Sequence, residues 1–142
     1  MQILAKKVLL GDSVVENKYI TIDDGIITSI SDSGSPDHVI EGTLIPGFVD
    51  IHSHGGGGFY FSDADISNVR AVISTHQSHG TTSIMASLVT EPIETIKSQI
   101  MRLKPLVQSG ELLGIHLEGP FLSEHKCGAH DPCLLYTSPS PR

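Results

Sequence analysis

The chain has 142 residues, 39% hydrophobic and 18% charged, the proportions of a globular domain rather than a disordered tail or a collagen-like repeat. Sixteen acidic side chains against nine basic ones give a formal charge of -7, the wrong sign for neutralising a nucleic-acid backbone. The two cysteines, Cys127 and Cys133, match no disulfide framework or cysteine zinc site, and no apolar run approaches the roughly 20 residues of a membrane span or the ~7–15 of a signal-peptide core. A reduced, cytoplasmic protein with neither nucleic acid nor membrane as partner is expected.

From Met1 to about Thr43, short β-prone runs alternate with turn residues, which predicts a small antiparallel β unit. Asp24-Gly25, between Tyr19 to Ile22 and Ile26 to Ile30, is a hairpin signal because glycine tolerates the positive φ of a tight turn. Ser31 to Asp37 reads as a loop, and His38 is assigned to it.

After Pro46 the pattern turns to strands alternating with helices. Phe48 to His52 reads as a strand and Asp65 to His79 as a helix, with Ile66, Val69, Val72, Ile73 and His76 on one face, Ser62 or Asp63 as cap and Gly80 at its end. Thr82 to Leu88 is a second strand. Glu91 to Lys104 fits a second helix, capped by Thr90, buried along Ile93, Ile96, Ile100 and Leu103, and ended or kinked by Pro105. Leu112 to Glu118 completes a third strand, so a parallel β/α array is expected. Three such units do not close a barrel, which takes about 250 residues.

Eight histidines make metal or proton chemistry worth seeking. A strand's period of two points His52 and His54 to one face at a carboxyl strand end, a metal-ligand spacing, though strand-end histidines bonded to water or backbone have the same pattern. Asp50 shares their parity, either orienting a ligand or simply buried and hydrogen-bonded. Gly55 to Gly58 fits neither a dinucleotide fingerprint, which would need glycine at Tyr60, nor a phosphate-binding P-loop, so these glycines are read as letting the backbone pass close to a metal or substrate. Glu118 is the next ligand candidate, with His116 one pleat behind it packing or orienting a neighbour. His76 and His79 are assigned to solvated or packing roles. The loop Ser123 to Pro132 carries His125, Lys126, Cys127 and His130, with Cys127 read as an inert loop thiol rather than a thiol near a metal.

The run Ile45-Pro46-Gly47-Phe48-Val49-Asp50-Ile51-His52-Ser53-His54-Gly55 resembles the first-strand motif of the amidohydrolase superfamily. Gly80-Thr81-Thr82-Ser83, Gly114 to Phe121 and Gly128-Ala129-His130-Asp131-Pro132 are similar, more narrowly, to the N-acetylglucosamine-6-phosphate deacetylase family. The resemblance implies an α/β fold: a small N-terminal β domain (residues 1–44) followed by the first three β/α units of a truncated metal-dependent TIM-like barrel (residues 45–132). It implies Glu118 as a metal ligand, His52 and His54 as holders of a second ion, and Ala129 and His130 as contacts to a sugar phosphate. Zinc or iron, one or two divalent ions, would be the cofactor. The implied reaction is metal-assisted hydrolysis of the N-acetyl amide of N-acetylglucosamine 6-phosphate to glucosamine 6-phosphate and acetate, in a parent that is a homo-oligomer. Two further histidine ligands and a proton-shuttling aspartate would lie beyond this chain's end, so no catalytic residue is expected within it, and the isolated chain is expected to be inactive and poorly stable.

Residues 133–142 depart from the family pattern and look like a translated sequencing adapter, a non-native tail. Two other readings remain: another amidohydrolase, dihydroorotase-like or deaminase-like, and a non-catalytic sugar-phosphate binding protein.

Overall fold

The computed structural model describes residues 1–136 and divides the chain into two compact units, Met1–Pro46 and Gly47–Arg142. In the first, β1 (Gln2–Leu10), β2 (Ser13–Asp23), β3 (Ile26–Ser31) and β4 (His38–Leu44) form one sheet in the order β3-β2-β1-β4. Asp24 and Gly25 both take positive φ, 49° and 77°, the geometry of a two-residue turn whose twist matches its strands, and Asp23 pairs with Ile26 across it.

The sheet is mixed rather than antiparallel throughout, because β4 runs parallel to β1. Ser31 pairs with Tyr19, Tyr19 with Leu4, and Leu4 with Val39, so β4 starts near the level at which β3 stops. The connecting loop therefore has only to cross the sheet. It is tied down on the way by Ser35 N–H donating to Gln2 Oε1 (2.7 Å), Gln2 N–H donating to Asp37 Oδ2 and Asp37 N–H donating to Gln2 O (both 2.8 Å). This pairing joins residues some 35 positions apart, which no local pattern announces, and it makes His38 the first residue of a strand instead of a loop residue. Ala5, Val8 and Ile20 form the buried core of this unit, with Ile3, Leu10, Val15, Ile22 and Leu44 packed around them.

The second unit is built on a parallel sheet of β5 (Phe48–Ser53), β8 (Thr81–Val89) and β9 (Gly114–Glu118), in the order β5-β8-β9. A hairpin of β6 (Gly55–Gly56) and β7 (Phe59–Tyr60) follows β5. Helix α1 (Ile66–Ser78) leads into β8, and α2 (Ile93–Gln108) leads into β9. Val69, Val72 and Ile73 of α1 and Leu103 and Leu106 of α2 are buried with Phe61, Ile84, Ala86, Leu88 and Leu112 in one cluster.

Helix α1 ends as expected, with His79 as its cap and Gly80 at φ 96° after it, but both helices are capped differently at their starts and α2 also ends later than expected. Asp65 caps α1, accepting from Ser67 N–H at 2.8 Å, whereas Asp63 accepts from Tyr60 N–H and from the Asn68 amide. Thr90 does not cap α2; Pro92 precedes its first turn with no side-chain cap. Pro105 neither ends nor bounds α2, which continues to Gln108 because the proline lies on the exposed face while Leu106 keeps the last turn buried. The strand expected from Leu112 starts at Gly114, since Leu112 is buried in the core and donates its N–H to Leu106 O at the helix end.

Of the expected tail, residues 137–142 lie outside the described residues. Pro132–Leu134 form a 3-10 turn, and Tyr136 N–H donates to Pro120 O at 2.9 Å. Among the described residues no helix is long and apolar enough to cross a membrane.

Candidate metal centre

The carboxyl ends of β5, β8 and β9 lie side by side, with Ser53 opposite Ala86, Ser87 opposite His116 and Val89 opposite Glu118. Side chains leaving neighbouring strand ends on one face can therefore meet. His52 Nε2 lies 3.2 Å from His54 Nε2 and 3.2 Å from Glu118 Oε2, and His54 Nε2 lies 2.9 Å from the same oxygen. Two imidazole nitrogens and a carboxylate oxygen thus form a nearly equilateral triangle.

These edges suit a single ion. Ligand bonds of about 2.0–2.1 Å in tetrahedral array set donor atoms about 3.3 Å apart. The donors are borderline nitrogen and hard oxygen, a set that takes zinc, iron and related divalent ions. Without a cation, two nitrogen lone pairs and an anionic oxygen facing one another need at least one bridging proton.

The Glu118 carboxyl is held below the usual glutamate range, chiefly by its hydrogen bond with His52, with the charges of His54 and His52 and a contact with His130 adding to it and partial burial opposing. The group is therefore an anion at neutral pH, the form that binds metal. Asp50, on the same strand, accepts from His52 N–H at 3.0 Å, and its other oxygen lies 3.9 Å from His76 Nδ1. His116 stands behind the cluster: its ring centroid is 4.9 Å from that of His52, and its Nδ1 lies 3.1 Å from Ser87 Oγ.

The glycine-rich segment lines a recess with His54, Phe59 and Tyr60, and three of its glycines are also closely packed. A side chain at Gly55 would collide with the backbone of Phe59, and one at Gly56 or Gly57 would crowd His76 or Thr75 of α1. Close packing inside a hairpin and against a helix requires these glycines. His76, assigned to a solvated or packing role, packs here: its Nε2 lies 3.0 Å from Gly55 O and 3.1 Å from Ser53 Oγ, joining α1 to the hairpin after β5. His79 stays at the helix end, its Nδ1 2.8 Å from Thr75 O.

Ala129 and His130 line a recess with Val89, Thr90 and Asp131. His130 reaches the centre as well, its Nε2 3.6 Å from Glu118 Oε1 and its Nδ1 2.8 Å from Thr90 Oγ1. His125 and Lys126 lie exposed in a 3-10 turn (Glu124–Lys126), and Cys127 is a half-buried free thiol. A second recess, lined by His54, Tyr60, Ser62, Ser87 and Val89, opens beside the triangle. Ser87 escaped the sequence reading, and Thr90 was read only as a helix cap, because hydroxyls at strand ends carry no spacing signal.

No family model matches the chain. An N-acetylgalactosamine-6-phosphate deacetylase of Shewanella sp. (strain ANA-3) is 31% identical over 140 residues, covering 91% of this chain and 36% of that protein. An N-acetylglucosamine-6-phosphate deacetylase of Bacillus subtilis (strain 168) is 32% identical over 136 residues, covering 86% of this chain and 34% of that protein. The crystal structure of N-acetyl-D-glucosamine-6-phosphate deacetylase from Mycobacterium smegmatis superposes with a TM-score of 0.86 at 37% identity, over 97% of this chain and 41% of that one, and a mutant of it has been solved with N-acetyl-D-glucosamine-6-phosphate. The chain therefore spans little more than a third of the length of these proteins. Over that span it is a relative, in sequence and in fold, of the N-acetylglucosamine-6-phosphate deacetylases.

Proposed function

We propose that the whole protein of which this sequence forms part removes the acetyl group from N-acetylglucosamine 6-phosphate by metal-dependent hydrolysis. The observation that carries the reading is the convergence of His52, His54 and Glu118 at adjacent carboxyl strand ends. The deacetylase relatives, one of them solved with the sugar phosphate, supply the substrate class. The second, fold-level part of the proposal takes residues 45–132 as the opening β/α units of a barrel and residues 1–44 as a separate β portion.

His52, His54 and Glu118 would hold a divalent ion, zinc or iron, and their single meeting point favours one shared ion over separate sites for the histidine pair and the glutamate. Such an ion supplies Lewis-acid polarisation of an amide carbonyl and activation of water at neutral pH. Glu118 brings the anionic charge, Asp50 fixes the backbone of His52, and Ser87 with His116 backs its ring. Ala129 and His130, facing the centre from the following loop, would contact the sugar phosphate.

The test is acetate release by the intact protein from N-acetylglucosamine 6-phosphate, with N-acetylgalactosamine 6-phosphate and dihydroorotate alongside. The expected result is turnover of the gluco substrate, abolished by a chelator and restored by zinc or iron. Preference for the galacto epimer would change the sugar, and turnover of dihydroorotate alone would overturn the reading.

A further inference from the structure

The parallel sheet stops fixing the backbone just before His54. Ser53 is the last residue of β5 paired with β8, opposite Ala86, and His54 lies between that pair and the hairpin that begins at Gly55. A small rotation of the backbone there would carry the His54 ring away from His52 and Glu118. One hold comes from the hairpin, where Phe61 N–H donates to His54 O at 2.9 Å.

The other comes from α1. Among the described residues, every polar contact of the His76 ring is to the stretch that carries the two histidines. Its Nε2 lies 3.0 Å from Gly55 O and 3.1 Å from Ser53 Oγ, the residues on either side of His54. A carbonyl only accepts, so the bond to Gly55 is donated by the ring. Its Nδ1 lies 3.9 Å from Asp50 Oδ2, and the other Asp50 oxygen accepts from His52 N–H. His76 follows Val72 by four residues and Ile73 by three, so it leaves α1 beside side chains buried in the core and is carried by them. The approach is cleared for it as well: an alanine Cβ at Gly56 would sit 3.0 Å from His76 Nε2.

We infer that His76 is a positioning residue for the metal centre. It ties the backbone on both sides of His54 to the packed helix and so holds His54 where an ion shared with His52 and Glu118 requires it. The inference rests on the reading of those three side chains as a metal site. Because the tie is a donated hydrogen bond, a side chain that keeps a donor at the same reach should keep the function.

The test compares intact wild type, His76→Phe and His76→Gln by zinc affinity, in competition with a chelator, and by the visible absorption of the cobalt(II)-loaded protein, with melting of each metal-free protein alongside. Phenylalanine keeps a planar ring without nitrogens, whereas glutamine keeps an N–H near the Nε2 position. Zinc affinity roughly 10–100-fold lower in His76→Phe with an altered cobalt spectrum, both restored towards wild type in His76→Gln, is the expected result. Where His76→Phe does not fold, Gly56→Ala crowds the same nitrogen and leaves His76 in place, and it should weaken zinc binding and alter the spectrum in the same sense. Wild-type affinity and spectrum in a folded His76→Phe protein, or in Gly56→Ala if that is the variant that folds, would overturn the inference and leave His76 a packing residue. Equal losses in the Phe and Gln variants, matched by equal drops in melting temperature, would overturn it too. A wild type that binds no zinc would instead remove the metal centre itself, so the two readings fail by different results.

Discussion

The two units use strand ends in opposite ways. In Met1–Pro46 the ends between β1, β2 and β3 are spent on tight turns, Gly11 following β1 and Asp24-Gly25 joining β2 to β3. In the second unit β5 and β8 open into a hairpin or loop that leads to a helix and β9 into a longer loop with 3-10 turns, and the side chains at those ends, His52, His54 and Glu118, are free to converge. The cores differ in the same sense. Three small or medium side chains are buried in the first unit, against ten, Phe61 among them, under the two helices of the second. Packing by helices along the sheet holds the strand ends still without occupying them, which is why parallel β/α arrays carry chemistry there.

Phe61→Ala should have the largest effect, because the side chain is fully buried between the hairpin and α1: a loss of about 3–5 kcal/mol in unfolding free energy, read by denaturant titration, is expected. Asp50→Ala removes the carboxylate that holds His52 N–H, and zinc affinity measured by competition with a chelator should fall roughly 10–100-fold with little change in melting. In the first unit Ile20→Val trims one methylene from the thinner core and should cost about 0.5–1.5 kcal/mol while leaving zinc affinity unchanged. If Ile20→Val weakened zinc binding as much as Asp50→Ala, the contrast between a structural and a chemical unit would break.

The smallest effect is expected from pH. Glu111 is held below the usual glutamate range first by its hydrogen bond with Arg70 and then by Ser109, against some desolvation. A carboxyl depressed in the folded state adds stability above its unfolded pKa and loses it as pH falls through the folded one. Glu111→Gln should therefore lower stability slightly at neutral pH and flatten the acid limb of a melting-versus-pH curve. Because the pair is exposed, added salt should shrink the difference.

Much of this was legible in the sequence where the signal is local. The Asp24-Gly25 turn needs two positive φ angles and shows them, and the alternation in β5 and β9 puts His52, His54 and Glu118 on faces that meet. What the sequence concealed depends on residues far apart in the chain. The parallel pairing of β4 with β1 converts an expected antiparallel unit into a mixed sheet and draws His38 into a strand. Thr90 has the residue type and position of a helix cap, yet partners brought in by β9 and the Ala129-His130 loop engage its hydroxyl instead. The packing of the glycine run was concealed too, because the hairpin partner and the helix that crowd Gly55, Gly56 and Gly57 are brought to it only by the fold.

The convergence of His52, His54 and Glu118 on one point is tested most directly by calorimetric titration of zinc into the metal-free intact protein, alongside Glu118→Gln and His54→Ala. A site in wild type that both substitutions weaken by at least about a hundredfold is the expected result. Zinc binding that keeps its affinity in both variants would show that these three side chains are not gathered around an ion.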